Sequence, residues 1–356
     1  MAVLNEEQTI LRDMVREWAD NESPVTAFRQ MRNAAPAEGY DPQAWSTMAA
    51  MGLAGIVIPE DFGGTAFGYL SLGLVLEQLG RNVAASPLAA TATAATAIVQ
   101  GGTAEQKAAW LPRIASGEVV ATLAVDEGPV HAPHTLTTSV ADGALTGTKA
   151  FVAEGDSAGL FVVAAIDGLY LVAGDAAGVT RSARRMADAR SHAEVRFDNA
   201  PAERLGDTKL TAAIIDRATA AVCAEMLGLA TQAFETTNDY LKTRVQFGQQ
   251  LSTFQALQHR MAKMFTELEL MRSAVEGALE AIDANRSDVD QAVSLAKAVA
   301  GDTLKLVSRE MIQLHGGIGM TDEHDAHFYM KRAAVLEAMW GNAPFHRERF
   351  ARLNGY

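Results

Sequence analysis

The chain has 356 residues, 49% of them apolar and 21% charged, with ten prolines, one cysteine and a formal net charge of −13. That length predicts two or three domains and a substantial core. The acidic balance leaves no surplus of basic residues to neutralise a nucleic-acid backbone, and a lone Cys223 can form neither an internal disulfide nor a thiolate cluster.

The amino terminus, MAVLNEEQTI, has no basic run followed by an apolar core, so it does not read as a signal peptide. The most apolar stretch, GLFVVAAIDGLYLVAG at 159–174, is broken by Asp167 and glycines short of a ~20-residue membrane span. A reducing, cytoplasmic setting without membrane or nucleic-acid partners is expected. Residues 1–117 read as an all-α domain. Leu4, Ile10, Leu11, Met14, Val15 and Trp18 mark one face of a first helix. Helices follow around Trp45–Met51, Tyr69–Leu79, 89–100 and 104–116.

Residues 118–206 change to period two. The runs 119–125, 136–140, 145–152, 160–165 and 169–173, and a last strand within 193–207, are separated by Gly, Asp and Pro turns. They predict a small antiparallel barrel or sandwich. Residues 207–356 are helical again. Val222, Met226, Leu229, Ala230 and Phe234 share one face of the first helix. Ser252-Thr253-Phe254-Gln255 reads as a capping box opening a second helix. A third spans 289–314 and stops at Gly316-Gly317, and a fourth begins near Asp325. The expectation is an α+β fold: N-terminal all-α domain, middle β domain and C-terminal four-helix bundle.

Several residues carry chemistry. Gly316, Gly317 and Gly319 follow a helix and permit a tight turn able to seat a pyrophosphate, although a Gly-Gly there is also an ordinary C-cap. Arg244 suits bidentate phosphate pairing, or is a solvated helix-end charge. Gln255 has a capping role as its simplest reading.

Five segments together resemble the acyl-CoA dehydrogenase family over nearly the whole chain. They are GLAGIVIPEDFGG at 52–64, LEQLGR at 76–81, LTGTKAFVAEG at 145–155, RVQFGQQLSTFQALQHRMAKM at 244–264 and QLHGGIGMTDEHDAHFYMKRA at 313–333. The resemblance implies an FAD-dependent α,β-dehydrogenation of an acyl-CoA thioester. By resemblance Arg244, Phe247, Gln255, Gln313, Gly316 and Gly317 face the FAD of a neighbouring subunit, so an oligomer is implied, with electron-transferring flavoprotein as acceptor. A carboxylate takes the α-proton, while flavin takes the β-hydrogen as hydride.

The family's carboxylate is missing from both of its usual places. The Tyr-Glu-Gly turn becomes Trp340-Gly341-Asn342, with Gly341 where glutamate is expected, and the alternative helical position holds Ala218. Asp216 is the nearest acid; it reads either as the base or as an exposed acid in a first helical turn. Glu225 and Glu337 lie about two turns and one turn from the vacant positions and read as packing or ion-paired acids. The usual Thr-Glu-Pro-x-x-Gly-Ser-Asp stretch becomes Asp126-Glu127-Gly128-Pro129 followed by His131 and His134. The tryptophan and threonine beside the flavin become Phe151 and Ala153; Phe151 can still pack on the ring. His131, His134, His324 and His327 lack metal-ligand spacing, and no metal is expected.

Two readings follow. The chain is an acyl-CoA dehydrogenase in a homo-oligomer with Asp216 as base. Alternatively, it is a non-catalytic subunit of a heterotetramer with a related chain, completing the partner's FAD site, and a sterol-derived thioester is then a candidate substrate.

Overall fold

A computed structural model describes residues 3–356. The chain divides into two compact units, each assembled from separated segments: Met1–Phe28, Gly73–Ala84 and Val222–Tyr356 in one, Arg29–Leu72 and Ala85–Ala221 in the other. The helices are α1 (Glu6–Glu22), α2 (Val25–Ala34), α3 (Pro42–Ala50), α4 (Gly68–Arg81), α5 (Leu88–Gly101), α6 (Ala104–Ala115), α7 (Thr208–Thr243), α8 (Gln255–Asp283), α9 (Val289–His315), α10 (Ala326–Ala338) and α11 (Ala343–Leu353). Helix α1 buries Leu11, Val15 and Ala19 at spacings of four, whereas Ile10 and Met14 of the expected stripe are exposed.

In the second unit the strands are β1 (Ala121–Ala124), β2 (Ser139–Ala141), β3 (Ala144–Ala153), β4 (Leu160–Ala165), β5 (Gly168–Ala173), β6 (Val179–Ala183), β7 (His192–Pro201) and β8 (Glu203–Gly206). They form two four-stranded sheets in the orders β1-β4-β5-β8 and β2-β3-β7-β6. The sheets stay open, so of the expected barrel or sandwich the sandwich forms, and one pairing, β1 with β4, is parallel rather than antiparallel. Side chains from both sheets make one core, with Phe161 of β4 edge-on to Phe197 of β7 at 5.8 Å. Helix α5 packs on β1 and β4, which explains why those strands are buried throughout and read as unbroken apolar runs.

The first unit is built on α9, which packs against α8, α10 and α11. Helices α4 and α7 cross closely here. A Cβ on Gly228 would lie 1.8 Å from the Glu77 carbonyl oxygen, and one on Gly80 would lie 2.3 Å from that of Glu225. Glycine at each point is therefore a packing requirement. The C-terminal segment holds five helices rather than four. Both α11 and α2 escaped the periodicity reading because each buries little apolar surface: Ala343 and His346 in α11, Phe28 in α2.

The capping box expected at Ser252–Gln255 does not form. Residues 251–253 are a 3-10 turn, and α8 starts at Gln255 with Phe254 at its cap and no side-chain cap bond. Capping boxes form instead at Asn5–Gln8 and Thr103–Gln106.

Lys149 of β3 is fully buried. Its Nζ donates to the Val125 carbonyl at 2.9 Å and to Glu127 at 2.8 Å. Glu127 also accepts from the backbone and hydroxyl of both Thr137 and Thr138, at 2.6–2.9 Å. Burial works against its charged form, but the hydrogen bonds from Lys149, Thr137 and Thr138 outweigh it and hold the carboxyl down at about 2.

A depressed folded-state pKa contributes stability that is complete above the ordinary value of 4.5 and is lost as pH falls towards about 2. Thermal melts between those limits should show this acid limb in the wild type and a flattened one in Glu127→Gln. Lys149→Met, which removes one of five hydrogen bonds to a partly buried carboxylate, should lower stability by about 1–3 kcal/mol in urea titrations at pH 7. Gly228→Val should cost at least about 1–3 kcal/mol in the same titration, because the clash is with backbone.

Candidate cofactor and active site

Helix α7 ends at Thr243, and the Arg244 N–H still donates to the Tyr240 carbonyl at 2.8 Å. The chain then reverses in a hairpin of β9 (Val245–Gln246) and β10 (Gln249–Gln250). Its two-residue turn, Phe247-Gly248, has φ of +54° and +80°. Two left-handed residues give the twist that such a tight hairpin needs, at a backbone cost for Phe247. Phe247 is 88% exposed and meets Phe254 edge-on at 6.1 Å. The Arg244 side chain is exposed and makes no ion pair among the described residues.

The end of α9 lies beside this hairpin's root. Tyr240 stacks on His315 at 4.3 Å and donates its hydroxyl to the His315 carbonyl at 3.3 Å. His315 Nδ1 faces the Met311 carbonyl at 2.7 Å, so the ring donates from Nδ1; burial lowers its pKa against that hydrogen bond. Its Nε2 is buried with no hydrogen-bond partner among the described residues. Gln313, Gly316 and Gly317 are exposed on this end. Gly316 sits at φ +64°, and a Cβ on Gly316 or Gly317 would meet nothing within 4 Å. Gly319 differs: a Cβ there would lie 2.8 Å from the Ile312 carbonyl oxygen, so it serves packing.

The structure thus joins Arg244 and Phe247 to Gln313, Gly316 and Gly317 through Tyr240 and His315, with Gln255 exposed on the first turn of α8 after the hairpin. The two joining aromatics were missed in the sequence, where Tyr240 sits one helical turn before Arg244. An open backbone turn, a guanidinium without a counter-ion among the described residues and an exposed aromatic ring suit a pyrophosphate-linked aromatic group arriving from outside the unit.

Phe151 and Asp216 belong to the other unit, on β3 and α7 respectively. The β3–β7 register slips between Lys149 and Val152, and Phe151 takes φ +52° at this bulge. The bulge leaves its ring 42% exposed, between half-buried Ala150 and buried Val152. Asp126 is bonded to His131, Oδ1 to Nδ1 at 2.8 Å, and its carbonyl accepts from the Ala150 N–H at 2.7 Å. The two substituted residues of this stretch therefore act as a pair. Among the described residues, no group of three or more His, Cys, Asp or Glu is placed to hold a metal.

Each candidate for the base has a definite setting. Helix α7 begins at Thr208, with Asp207 Oδ1 accepting from the Lys209 and Leu210 N–H groups, so Asp216 lies in the third turn and only 5% exposed. The reading of Asp216 as an exposed first-turn acid is corrected. Ala218 is also buried. Glu225 forms two 2.8 Å hydrogen bonds with buried Arg332, an ion pair. Gly341 has φ +92°, and a Cβ there would run into the Phe345 ring at 2.5 Å. Its carbonyl, with those of Leu336 and Glu337, accepts from the fully buried Lys297 Nζ at 2.9–3.0 Å. Burial pushes this ammonium down to about 8.

Known proteins match along the same lines. The N-terminal domain model of acyl-CoA dehydrogenase matches residues 5–118, and the C-terminal domain model matches 209–353. Acyl-CoA dehydrogenase IpdE2 of Mycolicibacterium smegmatis is 30% identical over 98% of each chain. Among solved structures, a variant of the Tcur3481-Tcur3483 steroid ACAD superposes with a TM-score of 0.91 at 33% identity over 98% of each chain. The ChsE4-ChsE5 complex from Mycobacterium tuberculosis gives 0.92 at 25% identity over the full length of each. Segment order, the folds of the two units and these likenesses converge, and the chain belongs to the acyl-CoA dehydrogenase family of FAD-dependent oxidoreductases.

Proposed function

We propose that the chain serves α,β-dehydrogenation of an acyl-CoA thioester within an oligomer, and that its Arg244–Gln255 and Gln313–Gly317 segments hold the FAD of a neighbouring protomer. The observation that carries this reading is the exposed cluster at the ends of α7 and α9. Arg244 there has no ion pair among the described residues, and Gly316 and Gly317 leave open space. Arg244 would pair with the pyrophosphate, the Gly316-Gly317 backbone would approach it, and Phe247 and the Gln255 and Gln313 amides would line it. Phe151, aimed outwards by its bulge, would pack on the isoalloxazine of the FAD bound to its own chain. Bound flavin supplies the hydride acceptor. On this reading Asp216 removes the α-proton, and its burial keeps water from the carboxylate.

A second reading is favoured by Gly341. A glutamate at that position would collide with Phe345, and the surrounding turn is clamped by Lys297. The chain is then the non-catalytic half of a heterotetramer, with a related subunit supplying the carboxylate. The pairing of two components in the ChsE4-ChsE5 complex supports that arrangement, and the steroid ACAD likeness supports a bulky steroid-derived thioester. Electron-transferring flavoprotein as acceptor and a cytoplasmic location complete the proposal.

The isolated chain should first be examined for visible flavin absorption and then for anaerobic bleaching by acyl-CoAs. The homo-oligomer reading expects bleaching, reduced about 10²–10⁴-fold in Asp216→Ala. A loss below about tenfold removes Asp216 as base. A colourless, inert chain that gains flavin and activity only with a second subunit supports the heteromeric reading. Gly341→Glu alone should lower the melting temperature without adding bleaching, and adding Phe345→Ala should recover only the part due to the ring contact, because φ +92° strains any side chain at this position.

A further inference from the structure

A cavity of about 590 Å³ opens in the second unit, between the end of α2 with the loop that follows it and the segment linking β6 to β7. Its volume is that of a pocket for a small organic ligand. Four arginines line it, Arg32, Arg184, Arg185 and Arg190, against one carboxylate, Asp156. The chain as a whole carries 43 acidic and 30 basic residues, so this wall reverses the sign of the molecule's net charge.

The four are not equivalent. Arg184 is paired with Glu194, and Arg190 is buried at 5% exposure. Arg185 is exposed and makes no ion pair among the described residues. Met31 and Met186 add polarisable apolar surface to the same wall. The Ser191 hydroxyl, on another lining residue, is buried without a hydrogen-bond partner among the described residues. The two sides approach closely at Gly39, which has φ +72° and where a Cβ would lie 2.4 Å from the Ser191 Cβ.

We propose that this cavity binds a phosphorylated small molecule of nucleotide size, with its phosphates among the arginines and its organic part against the two methionines. Guanidinium forks match phosphate oxygens, and a hydroxyl donor completes the set. None of these residues takes part in the flavin or thioester reading, so the two proposals stand or fall separately.

Calorimetric titration of the full-length protein with ADP, pyrophosphate and coenzyme A tests it. The expected result is one saturable ADP site per chain, weaker at high salt, with pyrophosphate competing but binding less tightly. Arg185→Glu should weaken ADP by about tenfold or more, as expected for loss of a charge-assisted contact. Ala37→Trp, a plug from an exposed lining position, should abolish binding while leaving the circular dichroism and any flavin absorption unchanged. Three results overturn the proposal: no saturable ADP binding at millimolar concentration, pyrophosphate binding as tightly as ADP, or ADP affinity unchanged in both variants. Coenzyme A binding that survives both substitutions while ADP binding is lost assigns coenzyme A to a separate site and supports the proposal.

Discussion

Tyr240 stacks on His315 and donates its hydroxyl to the carbonyl of the same residue, and through that double contact two distant stretches of chain become one surface. Without it, the hairpin bearing Arg244 and Phe247 would be an exposed turn at one helix end and Gly316-Gly317 a plain helix terminus at another. His315 suits this position because its ring is tied to its own helix through Nδ1, which fixes the plane on which Tyr240 lies. Burial lowers its pKa against the hydrogen bond to the Met311 carbonyl, which disfavours a second positive charge beside Arg244.

In the second unit a comparable economy of contacts holds the loop after β1. Glu127 gathers four hydrogen bonds from Thr137 and Thr138 and a fifth from Lys149, so the loop is anchored from the core outward. The substitutions around it are coupled. Asp126 brings a negative charge, and His131 five residues later supplies its partner. The bulge in β3 then separates buried Lys149 from exposed Phe151, turning neighbouring residues to opposite environments. That is a common use of a bulge beside a site.

The turn at Gly341 is constrained sterically as well as lacking a carboxylate. Gly341 accommodates a left-handed backbone and a phenylalanine ring that leaves no room for a side chain, and its carbonyl helps hold a buried ammonium. Restoring a carboxylate there therefore requires changing at least two residues. Glu225, the acid nearest to the vacant helical position on the far side, is committed to Arg332. Asp216 is the other buried acid of α7 among the described residues, on a helix that starts two turns earlier.

Much of this protein was readable in one dimension. The order of helical, β and helical segments, the long helices of the C-terminal region and the family-type motifs depend on local periodicity and on glycine, arginine and glutamine at fixed spacings, which neighbouring residues alone can specify. Helices α2 and α11, the open edges of the sandwich, the parallel β1–β4 pair and the start of α8 were not readable. Each depends on what the rest of the chain covers: α2 and α11 bury too few apolar side chains to show a stripe, and sheet closure is decided by pairing between distant strands. Likewise the sequence by itself determined that glycine stands at 341 and alanine at 218, since residue identity suffices for that. Only the tertiary structure decided that Phe345 occupies the space beside Gly341, that Asp216 is buried and that Tyr240 and His315 join the ends of α7 and α9, because contact between residues far apart in sequence is a property of packing and has no local signature.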